Sequence, residues 1–165
     1  MVQSSHIRGW LLLFCLHAVL MGGANAYFAL HGWTRVLMFM PLYVTSATAR
    51  SFAPYIAGRA AFQTMFVVLL AAGLYLTLFR DTRARRYWHF ALPSAILCQG
   101  AVLFLTSIER SALAALQPPV HPLPLAPIVR LVILFSSIGL WWIYWERSRR
   151  VQELFPGPRP LPAAA

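Results

Sequence analysis

Hydrophobic positions fall into long runs that stop abruptly at arginine or proline. Gly9 to Leu30 is the first, following Arg8, and its 22 residues make a helix of about 33 Å, enough to cross a hydrocarbon core of about 30 Å. Ala60 to Phe79 is a second run, ending at Arg80-Asp81-Thr82-Arg83-Ala84-Arg85-Arg86. Tyr87 and Trp88 open a third that continues to Ile108, with Pro93 early in it, where a missing backbone donor bends a helix. Leu131 to Trp145 is the last, preceded by Pro127, which suits the first turn of a helix. The predicted fold is all-α: an integral membrane four-helix protein with spans at about 9–30, 60–79, 88–108 and 127–145 inside one domain, 1–155.

The intervening stretches complete this outline. Val36 to Ala49 is apolar but only 14 residues long, contains Pro41 and is bracketed by Arg35 and Arg50, so it is too short to span. Residues 31–59 are expected to form an outward-facing connection, partly interfacial, between spans 1 and 2. Residues 117–127 carry five prolines and read as extended, polyproline-like chain. Residues 156–165 read as a disordered Pro-rich tail. A competing reading of the start makes Ser4–Arg8 and Trp10–Met21 a secretory leader cut near Ala24-Asn25-Ala26. The apolar character that continues through Leu30 favours a retained span.

Composition reinforces the membrane reading. Of 165 residues, 59% are hydrophobic and 11% charged, too few charges to cover a water-soluble surface. All 14 basic residues are arginine, against Asp81, Glu109, Glu146 and Glu153. Because the arginines gather at the ends of apolar runs, they read as topology determinants facing anionic lipid headgroups, and nucleic acid is excluded as a partner. With both termini inside, nine arginines lie in the cytoplasm and five outside, the strongest being Arg80, Arg83, Arg85, Arg86, Arg147, Arg149 and Arg150. Trp10, Trp88, Trp141, Trp142, Tyr144 and Trp145 occupy run ends, where aromatic rings anchor at headgroup depth.

Candidate chemistry is sparse. His17 and Asn25 lie eight residues apart, near one helix face with Met21 between them. Such a stripe turns toward neighbouring helices, either as a ligand or proton-relay site or as simple interhelical hydrogen bonds. Glu109 and Arg130 are placed to form an ion pair at the outer boundary. Cys15 and Cys98 both lie in apolar runs and read as buried thiols. Cys15 and His17 point to opposite sides of a helix, so no metal centre is expected. For haem, His17 and His89 are poorly matched in depth while His31 and His121 lie outside on loops, and no cofactor is expected. Gly73 with Thr77, Gly22 with Gly23, and Ser136 with Gly139 offer surfaces for close helix approach. No phosphate-cradling loop, paired carboxylates or nucleophile with a spaced base is visible, so no enzyme is expected.

One resemblance adds to this. Trp142-Ile143-Tyr144-Trp145-Glu146-Arg147-Ser148-Arg149-Arg150-Val151-Gln152-Glu153-Leu154-Phe155 resembles the end of the bacterial membrane family called domain of unknown function 2569, where a Trp- and Tyr-bearing span leads into Ser, basic residues, Val and an aromatic. The Gly9-Trp10-Leu11-Leu12-Leu13 opening is similar to that family as well. Arg149 stands where the family often has Lys, and Leu154 where it often has Thr; both changes keep charge or bulk. The resemblance implies a small bacterial inner-membrane protein and no assigned reaction. Together the readings point to an accessory or structural subunit packing against a larger membrane complex. The alternative is a carrier or binder of a lipophilic or redox ligand, a quinone, lipid or haem, between the helices.

Overall fold

Ser46 is the single break in what the sequence reading took for a 29-residue connection. In a computed structural model describing residues 9–114 and 125–155, helix α1 runs unbroken from Trp10 to Thr45 and helix α2 from Ala47 to Leu78. Ser46 is extended; its backbone N–H donates to the Leu42 carbonyl, ending α1, and its hydroxyl accepts from the Ala49 N–H, capping α2. The expected connection over residues 31–59 is thus corrected from a loop to the tip of a helical hairpin. A run too short to span still extends a helix that already spans, and a helix satisfies its own backbone polar groups wherever water is scarce. Pro41 and Pro54 are carried inside the helices.

Helix α3 covers Ala84–Ala114, passing through Pro93, and α4 covers Leu125–Arg147 with Pro127 in its first turn. A short α5, Arg149–Leu154, follows. The described residues are all-helical outside turns and caps, and α1, α2 and α3 are each long and apolar enough to cross a membrane. Most of the expected polyproline link, 115–124, and the Pro-rich tail, 156–165, lie outside the described residues.

Each of the first three helices packs against the next, which runs antiparallel to it, along a stripe of buried residues that recur mostly every three or four positions. On α1 the stripe is Leu11, Phe14, Cys15, Ala18, Asn25, Ala29 and Gly32. On α2 it is Ile56, Ala60, Gln63, Phe66, Leu70, Gly73 and Thr77. In the α1–α2 seam the approach is tight at Gly32, where a Cβ would lie 2.9 Å from the Ala60 Cβ. In the α2–α3 seam it is tight where Gly73 meets the Trp88 ring. Gly23 and Gly139, by contrast, face nothing within 4 Å. Between Gly32 and Ile56 no residue is buried, so the hairpin tip stands clear of the bundle.

Candidate functional site

The arginine-rich end is built by two turns. At the α2–α3 turn Arg80 adopts a left-handed conformation, φ 55°; its N–H donates to the Thr77 carbonyl and that of Asp81 to the Leu76 carbonyl. This is the paired hydrogen-bond pattern that closes a helix C-terminus. Asp81 then accepts from the Arg83 N–H through its carboxylate, 2.7 Å, and from the Ala84 N–H through its carbonyl. At the α4–α5 turn the Ser148 hydroxyl accepts from the Val151 N–H, so the Ser148–Val151 piece of the resembling segment is a capped turn. It folds Val151 and Phe155 inward, both fully buried, beneath the Trp145 ring. His89 and Glu146 pair at 3.1 Å across the α3–α4 seam, which brings Arg80, Arg83, Arg85 and Arg86 to the same end as Arg147 and Arg149. The Arg150 side chain lies outside the described residues.

Behind these turns lies an aromatic core. Phe14 meets the Trp88, Trp141 and Trp145 rings edge-on at 4.7, 5.1 and 5.4 Å between centroids, the range in which aromatic pairs attract beyond their burial. The Trp88 N–H donates to the Thr77 hydroxyl at 2.8 Å, and that hydroxyl donates to the Gly73 carbonyl at 2.7 Å. Trp88, Trp141 and Trp145 are therefore corrected from interface anchors to core residues; the four long helices converge on them, and burial of so much ring surface outweighs a place among headgroups. Trp10 and Trp142 are exposed, and Tyr144 is half-buried.

Further along the bundle sits a group of buried amides. Gln99 donates from Nε2 to Asn25 Oδ1 at 2.7 Å, and Asn25 donates from Nδ2 to the Met21 carbonyl at 2.9 Å. Both residues are 8% exposed. Gln63, 7% exposed, has a buried Oε1 with no hydrogen-bond partner. The contacts that fix the α2–α3 register, Gly58 on Leu105 and Gly73 on Trp88, put Gln63 at the level of Gln99. Nothing in a single chain links Asn25 to Gln99 74 positions away, although Gln99 falls on the same face of α3 as Trp88, Ala91, Ala95 and Val102.

His17 is half-buried, with its ring 5.9 Å from that of Trp141. It lines a crevice of about 20 Å³ where all four long helices approach. His17 and Asn25 share a face as expected but are not in contact: His17 opens on the crevice and Asn25 on Gln99. Cys15 and Cys98 are both buried and free.

At the opposite end Glu109 pairs with Arg59 of α2 at 2.7 Å, the two side chains 13% and 18% exposed. The sequence reading had assigned Glu109 to Arg130, whose side chain lies outside the described residues. The sequence pattern puts Arg59 in a connection; in the structure it belongs to α2, one turn from Gln63 and opposite Glu109.

No family model, curated protein or solved structure matches the chain.

Proposed function

We propose that this is a non-enzymatic protein of the bacterial inner membrane, four-span with both termini cytoplasmic, that packs against a larger membrane complex. The observation that carries the reading is the hairpin tip. Leu37, Met38, Phe39, Met40, Leu42, Tyr43 and Val44 are all exposed, and they surround the helix. A helix apolar all round belongs in lipid or in protein. At 36 residues α1 is about 54 Å long, and even at a tilt of about 40° it outreaches a hydrocarbon core of about 30 Å. Some of this apolar tip therefore stands where lipid tails do not reach, and another protein is the natural cover.

Support for the remaining parts is separate. α4, 23 residues or about 34 Å, runs antiparallel to α3 and is long enough to be the fourth span. The arginine-bearing turns share one end of the bundle with the start of α1, which by the positive-inside rule is the cytoplasmic end. The resemblance of 142–155 to domain of unknown function 2569 supports a bacterial source. The test places a photocrosslinking residue at Met38 or Met40, about 200° apart around the helix, in native membranes. The proposal expects one protein adduct of the same mass from both positions. Lipid adducts alone from both would show the tip to be sunk in the bilayer and defeat the reading.

A further inference from the structure

We infer that the protein covering the hairpin tip is a different polypeptide from this chain and that it meets Arg50 with a carboxylate. The inference rests on the tip being a docking surface and names the chemistry of what docks there.

Arg50 lies four residues past Ser46, and Leu42 four residues before it. Gly32 and Ala60, each 14 residues from Ser46, are in contact, so the two helices keep that register and Arg50 stands level with Leu42. Leu42, Tyr43 and Val44 are exposed around it. Arg50 is exposed as well, and among the described residues its guanidinium makes no ion pair or side-chain hydrogen bond. Local folding does not account for an arginine there, because the first turns of a helix favour an anion over a cation.

Depth separates Arg50 from lipid. The 20 residues from Arg59 to Leu78 rise about 30 Å, the thickness of the hydrocarbon core, with the Arg59–Glu109 pair at the outer boundary. At a tilt of about 20°, Arg50 starts about 10 Å beyond the hydrocarbon, past a headgroup layer of about 5–8 Å. A cover that buries the apolar tip therefore takes Arg50 with it into the interface. A guanidinium withdrawn from water is costly unless a carboxylate pairs with it. Residues 31–59 contain no acidic residue, and Glu109 is held by Arg59, so the cover has to supply that group. A second copy in the same orientation has none to offer: its Asp81, Glu146 and Glu153 lie at the arginine-rich end and its Glu109 is likewise engaged.

The test exploits a chain without a single lysine. Arg50→Lys keeps the charge and adds one amine, which a carbodiimide joins to a carboxylate only on contact. Full-length wild type, Arg50→Lys and Arg147→Lys, the last at the opposite end, are treated in native membranes; adducts formed through the chain's own carboxylates appear in wild type and are subtracted. The expected result is one adduct gained by Arg50→Lys and not by Arg147→Lys. Its partner has the mass of the protein captured by the photocrosslinker at Met40, and peptide fragmentation places the joint on an Asp or Glu of a sequence other than this one. Arg50→Glu, an exposed change that leaves the thermal midpoint within about 2 °C, lowers the Met40 protein adduct at least tenfold, as a like charge facing a buried carboxylate does. A Met40 protein adduct that persists while Arg50→Lys gains none, or that Arg50→Glu leaves undiminished, overturns the inference and leaves docking at the tip standing. A joint to lipid alone or to a second copy overturns it too. Absence of any protein adduct from Met40 in the otherwise unaltered chain removes the docking surface and this inference together.

Discussion

Replacing Gly73 by alanine tests the most tightly determined contact in the bundle. A Cβ built there lies 2.5, 2.7 and 2.8 Å from three atoms of the Trp88 benzene ring, distances at which something has to shift. The ring has no room to retreat. Phe14 sits edge-on at 4.7 Å, the Trp145 ring is 5.8 Å away, and the indole N–H is tied to Thr77, itself fully buried. Overpacking of this kind destabilises by about 1–3 kcal/mol. If the ring moves far enough to break its bond to Thr77, about 1 kcal/mol more is lost. A total near 3 kcal/mol lowers the unfolding midpoint of a chain this size by roughly 6–12 °C. The assay is thermal unfolding in detergent, followed by tryptophan emission. Gly23→Ala and Gly139→Ala, where a new Cβ meets nothing within 4 Å, serve as controls and stay within about 2 °C of wild type. In a Trp88→Phe background the smaller ring leaves space, so Gly73→Ala falls below about 1 kcal/mol and the cycle shows a coupling of about 2 kcal/mol. A Gly73→Ala midpoint within 2 °C of wild type, or an equal loss in both backgrounds, refutes the packing argument.

Three further outcomes follow from other parts of the structure. Glu109→Ala, which strands the Arg59 guanidinium in a largely buried place, destabilises by roughly 2–4 kcal/mol, and the double exchange Arg59→Glu with Glu109→Arg recovers at least half, read by the same thermal assay. Ser148→Ala removes the α5 cap and about 1 kcal/mol of local stability, so tryptic cleavage after Arg149 speeds up about fivefold; an unchanged rate would mean the cap does not hold the turn. A reporter enzyme active only outside the cytoplasm, fused after Ala84, stays silent, and one fused after Ser46 is active; the opposite pair reverses the proposed orientation.

How much of this was readable in advance depends on how far each feature reaches along the chain. The three qualifying helices were legible because each advertises itself locally, by an apolar run with arginine at its ends. The Gly73–Thr77 pair was likewise visible as a close-packing surface, though its partner, Trp88, was not. Residues 31–59 were misread for a definite reason: span length says where a helix enters lipid and nothing about where it stops, and Ser46 carries the only stop signal that counts there. The same error hid Arg59, which gained a partner only when α2 grew backward past it. The tryptophans show the opposite failure. Their position at run ends fits both a headgroup anchor and a core plug, and what decides between them is convergence of Trp88, Trp141 and Trp145 on Phe14, a fact about three seams at once. Burial at that end then accounts for the Ser148–Phe155 segment, the part of the chain that carried the family resemblance. A serine that caps, a valine and a phenylalanine that turn inward, and an exposed Arg149 between them are what closing an aromatic core beside a charged surface demands. That segment therefore records how the bundle is sealed at its arginine-rich end.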